Sequence, residues 1–477
     1  MIDGLKPYPA MKDSGVPWLG AVPEHWDVLP NRAIFDEVKD RDRPDADMLS
    51  VTITKGVIRQ QTLLEDSSKK DSSKLDRSAY KFVRSGDIAY NKMRAWQGAV
   101  GVSEYEGIIS PAYVVQRPRK GGTSRYLHYL LRTPDFAKEA ERWSYGITSD
   151  MWSLRPEHFR MIYSCLPPLP EQAAIVRFLD HADRRIRRYI RAKQKLIKLL
   201  GEQKQAIIHR AVTRGLDPNV RLKPSGVEWL GDVPEHWEVA SLRHRYSQVL
   251  GKMLDSKRIT GESLLPYLRN TDVQWDRINV DGLPQMDIAP AEYERYTVRA
   301  GDLLVCEGGE VGRAAIWTGS LPLCGFQKAL HRLRPFNPER DVPRFLYFAL
   351  RAAAKGNAFS DGHVSTIAHL TGEKLRGHPF PFPPREEQQA IAQWIDGELV
   401  NIGDATECTA QQIDLLREYR TRLIADVVTG KLDVREAAAR LPDEVEEPES
   451  LDEVEADGDS DEASADDADA VPEEVEA

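Results

Sequence analysis

The sequence predicts a mixed α/β (α+β) protein built as a pseudo-two-fold internal repeat. It should hold two globular domains separated by two long antiparallel helices, with a disordered acidic tail at the C-terminus. Three observations carry this reading. A stretch of about fifty residues occurs twice without a gap, a shorter block occurs twice ahead of it, and the charge divides between a basic body and an acidic end.

The long repeat opens P-P-L-P-E-Q-A-A-I-V-R-F-L-D at Pro167 and returns as P-P-R-E-E-Q-Q-A-I-A-Q-W-I-D at Pro383, an offset of 216. Leu199-Leu200 falls on Leu415-Leu416, Ile208 on Ile424, Val212-Thr213 on Val428-Thr429, and Leu216-Asp217 on Leu432-Asp433. Both copies read as helices. In the first, Ile175, Leu179, Ala182, Ile186, Tyr189, Leu196, Leu200 and Ile207 recur in steps of three and four, with Lys193 and Gln203 filling two steps. In the second, Ile391, Ile395, Ile402, Ala405, Leu416, Tyr419 and Leu423 form the same seam. No proline interrupts Glu171 to Arg214 or Glu387 to Gly430. Each helix can therefore run about forty residues, roughly 60 Å at ~1.5 Å per residue. Paired prolines precede each start, and Gly215 and Gly430 follow each end.

The shorter block reads M-K-D-S-G-V-P-W-L-G-A-V-P-E-H-W-D-V at residues 11–28 and L-K-P-S-G-V-E-W-L-G-D-V-P-E-H-W-E-V at 222–239. It is too rich in Pro, Gly and Trp for a helix, so it reads as an extended segment pinned by Trp18 and Trp26, or by Trp229 and Trp237. His25 and His236 lack a nearby nucleophile or metal partner. A hydrogen-bonded structural role beside a tryptophan suits them better than catalysis.

Between each short block and the following helix lie 29–166 and 240–382, similar in length but poorly matched. Strands are predicted at Met48–Ile53, Asp87–Tyr90 and Ala112–Gln116, with a helix from Tyr126 to Leu131 that Pro134 interrupts. In the second stretch, strands are predicted at Asp302–Cys306, Ala314–Trp317 and Ala329–Leu333, and a helix over Pro343–Ala354. V-R-S-G-D-I from Val83 echoes V-R-A-G-D-L from Val298. One scaffold with two divergent surfaces is the pattern of a protein that recognises two different things. The expected domains are 1–168, the first helix at 169–215, 216–384, the second helix at 385–434, and the tail at 435–477.

The net charge of −10 conceals this asymmetry. Residues 442–477 hold 18 acidic residues and no Lys or Arg, leaving 65 basic against 57 acidic residues elsewhere, a net of +8. A basic body suits nucleic acid; the tail has too little apolar surface to fold alone. The absence of an apolar run of eighteen residues or a signal core leads to the expectation of a cytoplasmic protein. The scattered Cys165, Cys306, Cys324 and Cys408 suggest neither a metal site nor a disulfide framework.

No Walker loop, dinucleotide fingerprint, H-E-x-x-H or G-x-S-x-G occurs. The chain is therefore expected to catalyse nothing and to bind no cofactor or metal itself. The positive signal is loops that mix bases, amides and aromatics. Lys92 and Arg94 can meet phosphate or guanine, Gln97 can bond adenine, and Trp96 can pack on sugar or base. Ser149 belongs to the hydroxyl- and aromatic-rich loop Trp143–Arg155. In the second domain the candidates are Glu310 and Arg313 in Cys306–Arg313, Gln327 and Lys328 in Gly325–Lys328, and His363 and Ser365 in Ser360–Thr366.

The duplicated P-P-L-P-E-Q and P-P-R-E-E-Q helices, the twice-used V-P-E-H-W, N-K-M-R-A-W-Q-G-A, I-S-P-A-Y and G-D-L-L-V-C-E-G-G-E-V-G-R-A together resemble the specificity subunits of type I restriction–modification systems. The resemblance covers about residues 11–434. It implies that the two variable stretches are target recognition domains for double-stranded DNA, reading a bipartite asymmetric target. It implies that the repeated helices hold two methyltransferase (modification) subunits, with restriction subunits joining the full complex. S-adenosylmethionine, ATP and magnesium would belong to those partners. Pro167, Pro168, Glu171 and Gln172, with Pro383, Pro384, Glu387 and Gln388, are the expected partner-binding residues because this patch is presented twice. A structural adaptor that holds two partners without reading DNA is the alternative.

Overall fold

The strands of this chain are short and the two helices are long, and one topology is used twice. The computed structural model describes residues 5–41, 43–61, 77–119, 122–147, 151–254, 261–356, 358–359 and 370–442. It divides into two compact units: Met1–Gln194 with Ala410–Ala477, and Lys195–Thr409. The division falls inside the long helices, whereas the sequence reading placed domain boundaries at their ends.

The first unit is centred on a four-stranded antiparallel sheet in the order Phe35–Val38, Tyr113–Pro118, Ile88–Asn91, Val100–Val102. Val38, Ala89, Tyr113 and Val115 enter a common core from it. The second unit repeats the arrangement with Tyr246–Leu250, Leu330–Pro335, Leu303–Cys306 and Ala314–Ile316. The G-D echo in the sequence has a physical basis. Asp87 caps the turn before its strand and forms a two-bond ion pair with Arg117, both bonds 2.7 Å. Asp302 does the same with Arg334, at 2.7 and 2.8 Å. The preceding Gly86 and Gly301 have φ of +89° and +91°, a backbone conformation that favours glycine.

The predicted strands and the helix at Pro343–Lys355 are present. Pro134 does not merely break a helix. It stands at the first position of a second one, Pro134–Arg142, whose cap Thr133 accepts from the Phe136 amide.

Each short repeated block forms a hairpin, Met11–Asp13 with Ala21–Pro23 and Leu222–Pro224 with Asp232–Pro234. The next segment pairs with the strand entering the long helix: Asp27–Pro30 with Tyr163–Leu166, and Glu238–Ser241 with Pro379–Phe382. Trp26 and Trp237 are buried at this join.

The long helices run Leu169–Arg214 and Arg385–Val428. Within the first unit, Arg420 bonds Asp183, and Lys193 Nζ donates to Gln412 Oε1 at 2.5 Å. Numbering rises along one segment as it falls along the other, so they are antiparallel. Burial works against the Asp183 charge, but Arg420 and Arg187 prevail and hold its carboxyl below the usual range. In the second unit Ile208, Ala211 and Val212 share a core with Ile391, Ala392 and Ile395.

The seam differs in detail from expectation. Tyr189 and Leu196 are exposed at 54% and 44%, and Ala405 is also exposed, whereas Ile190 and Ile413 are buried. Thr406 and Thr409 occupy inner steps by donating to their own helix at Ile402 O and Ala405 O, so a search for apolar residues passes over them.

The tail also begins later than the boundary at 435. Arg435–Ala439 is a short helix, Val434 and Ala438 are buried, and Arg435 pairs with Asp433 while its guanidinium lies 5.0 Å from the Tyr8 ring centroid. Those contacts order a segment that composition alone assigned to the tail; residues 443–477 lie outside the described residues.

Candidate nucleic-acid interface and helix junctions

The strand Ile88–Asn91 ends in a tight loop. Asn91 Oδ1 accepts from the Met93 amide at 2.9 Å, Ala95–Gln97 form one 3-10 turn, and Gly98 closes it at φ +97°. This presents Lys92 and Arg94 half-buried and Gln97 exposed. Trp96 Nε1 donates to Met93 O at 2.8 Å, and its ring meets Trp152 edge-on at 5.5 Å. The Leu154 amide donates to Lys92 O at 2.8 Å. The two patches singled out in this domain, around Lys92 and over Trp143–Arg155, therefore sit together. Ser149 lies outside the described residues. Around them Met93, Tyr145, Ile147 and Met151 expose apolar surface. Burial, then the neighbouring Lys92 cation, lowers the pKa of Lys81 close by.

In the second unit the loop from Cys306 to Arg313 leaves the equivalent strand at the equivalent end. Glu307 N donates to Ala329 O at 3.0 Å, which sets this loop beside Gln327 and Lys328. Lys328 is exposed and Gln327 half-buried. Glu310 and Arg313 are engaged inside the unit. Glu310 pairs with Lys355 at 2.6 Å, and Arg313 Nη2 donates to Asn270 O at 2.8 Å. Holding a carbonyl in place is a positioning task, one that a search for base-reading side chains would not distinguish. His363 and Ser365 lie outside the described residues.

The repeated Glu-Gln pairs turn inward. Glu171 accepts from Tyr8 Oη, from Trp26 Nε1 at 3.0 Å and from His25 Nε2 at 2.8 Å. Gln172 is fully buried: its Oε1 accepts from the Thr123 amide at 2.8 Å, and its Nε2 donates to Pro167 O at 2.8 Å. Glu387 accepts from Trp237 Nε1 at 3.0 Å and His236 Nε2 at 2.8 Å. Gln388 repeats the Gln172 pattern with Val342 N and Pro383 O, both at 2.8 Å. The duplicated motif thus fastens hairpin, globular domain and helix start to one another. Both histidines are hydrogen-bonded beside a tryptophan, as their sequence setting suggested. Pro167 and Pro383 are buried; Pro168 and Pro384 are exposed.

Among the described residues no group of three or more His, Cys, Asp or Glu could hold a metal ion, and no helix is long and apolar enough to cross a membrane.

Residues 246–404 match the family model described as the type I restriction modification DNA specificity domain. The putative type I restriction enzyme MjaX specificity subunit of Methanocaldococcus jannaschii is 23% identical over 441 residues, covering 87% of this chain and 96% of that one. Over most of its length the chain is similar to type I restriction enzyme specificity subunits. The EcoBI specificity subunit of Escherichia coli is 30% identical over 142 residues, 29% of this chain and 28% of that one. The fold is shared with a chain from a structure of the type I R-M system addressing complex assembly and conformational transition. The TM-score is 0.66 at 19% identity, covering 86% of this chain and 99% of that one. The HsdS subunit from Thermoanaerobacter tengcongensis aligns with TM-score 0.52 at 18% identity, covering 86% and 98%.

One further pair of residues is a candidate partner contact. Leu199 and Leu415 are counterparts in the repeat and are 50% and 63% exposed. Each stands one residue before a seam position, so it points away from the helix pairing. The signal was present in the matched Leu-Leu pairs, but periodicity alone merged the outer leucine with the inner one.

Proposed function

We propose that this chain is the DNA-reading subunit of a type I restriction–modification complex, taking one half of a split, asymmetric duplex target with each recognition domain. The observation that carries this is the use of one sheet topology twice, with loops of different chemistry leaving the same strand end. Lys92, Arg94 and Gln97 offer cations and an amide in the first unit; Gln327 and Lys328 offer the same groups in another frame in the second. Two methyltransferase subunits bind the repeated helix surfaces, with Leu199 and Leu415 as apolar contacts. Restriction subunits join that assembly, and S-adenosylmethionine, ATP and magnesium act on the partners.

The test is selection from a randomised duplex by the reconstituted complex, with methylation mapping of the recovered sites. Replacing Lys92 and Gln97 with Ala should relax one half-site and leave the other intact, with a loss of about 1–3 kcal/mol for each bidentate base contact removed. Equal binding to random and selected duplex would instead establish the adaptor reading.

A further inference from the structure

Arg177, Arg184, Arg188 and Arg191 follow one another at intervals of seven, four and three residues. On a helix that spacing places them along one face, with Arg185 exposed beside it. At the N-terminal end of this stripe, Arg177 Nη2 donates to Leu441 O at 2.8 Å and to Pro442 O at 3.4 Å. The next residue is Asp443, and from there to Ala477 the sequence holds 18 acidic residues and no basic one. The fold therefore delivers a polyanion to one end of a cationic stripe.

The duplication supplies a second, independent argument. The counterparts of these four arginines in the second helix are Gln393, Val400, Asp404 and Glu407. A stripe serving a task common to both copies would occur in both. This one occurs once, and so does the acidic segment.

We propose that residues 443–477 dock in cis on the Arg177–Arg191 face and compete there with DNA phosphates. Thirty-five residues can extend roughly 115 Å at ~3.3 Å each, whereas the stripe is about 21 Å long. Single exposed ion pairs are weak, but tethering gives an effective concentration of about the millimolar range, and the sum falls with added salt. The competition rests on the DNA-reading function; the docking does not.

The experiment compares full-length chains. In one, every Asp and Glu from Asp443 onward is replaced by Asn or Gln. That neutral tail should tighten binding to random-sequence duplex roughly tenfold at low salt and steepen the salt dependence. The same change in an R184Q/R185Q/R188Q/R191Q background should alter binding less than about twofold. A synthetic 443–477 peptide added to the neutral-tail chain should bind it in a salt-sensitive way and should fail on the arginine variant. Should the fourfold variant melt early, R185Q/R188Q, both exposed, takes its place. An equal gain in both backgrounds would overturn the proposal, because it reports only whole-chain repulsion. Failure of the peptide to bind would overturn it as well. If no chain binds duplex at all, the DNA-reading function falls, while the peptide measurement still decides the docking.

Discussion

Glu171 and Glu387 hold corresponding places in the repeat but carry different loads. Glu171 is 6% exposed and takes three donors; Glu387 is 30% exposed and takes two. Removing a buried acceptor leaves its donors without partners, and that cost rises with burial and with the number left. Glu171→Ala should therefore destabilise the chain by about 2–4 kcal/mol and Glu387→Ala by about 1 kcal/mol. Urea unfolding of the two variants checks this; equal losses would mean that Tyr8 and burial add nothing. The repetition of Glu-Gln was visible in the sequence, but its direction was not. A motif written twice is required twice, and the requirement can be internal, as Trp26 and Trp237 show. Arg313 teaches the same point, since only the position of Asn270 O reveals what its guanidinium does.

At the scale of elements, the ends of the long helices and six of the strands could be read because proline, glycine and apolar spacing act locally. The inner steps at Thr406 and Thr409 could not, since they depend on hydroxyls bonding to the helix itself. The helix ends also differ in how closely they are packed. Gly215 and Gly430 have φ of +71° and +78°. A Cβ on Gly215 would lie 3.3 Å from the Trp237 ring, whereas on Gly430 it would collide with the Pro23 ring. Gly430→Ala should cost about 2–4 kcal/mol and Gly215→Ala about 1–2 kcal/mol, read as lowered thermal midpoints. The aromatic layer under the last sheet strand carries a pH signature. Burial lowers the His378 pKa to about 4, among Trp229, Phe359 and Phe380. Unfolded histidine titrates near ~6.5, so between ~6.5 and about 4 the unfolded chain binds the extra proton. This contribution is full above that window and is lost as pH falls through it. His378→Phe should flatten stability against pH there by about 1–3 kcal/mol, measured by urea midpoints at several pH values.

For the whole molecule, each unit contains the start of one long helix and the end of the other. If the two half-sites are read by different units and the long helices hold those units apart, helix length should set the number of unread base pairs, because α-helix rises by a fixed ~1.5 Å per residue while a B-DNA step is ~3.4 Å. Four residues added at equivalent places in both helices, after Gln194 and after Ala410, add about 6 Å, or close to two base pairs. The insertion must be made in both, since lengthening one alone leaves the other four residues short. It must also keep the seam in phase, for which four residues, slightly over one turn, are nearer than three or five. The loops around Lys92 and Lys328 are untouched, so on the proposed reading the half-sites should be unchanged and the spacer longer by one or two base pairs. Methylation mapping in cells that express the altered chain with its partners reads both quantities at once. A changed half-site would show that recognition depends on how the helices are packed, and an unchanged spacer would mean that something other than these helices sets the distance.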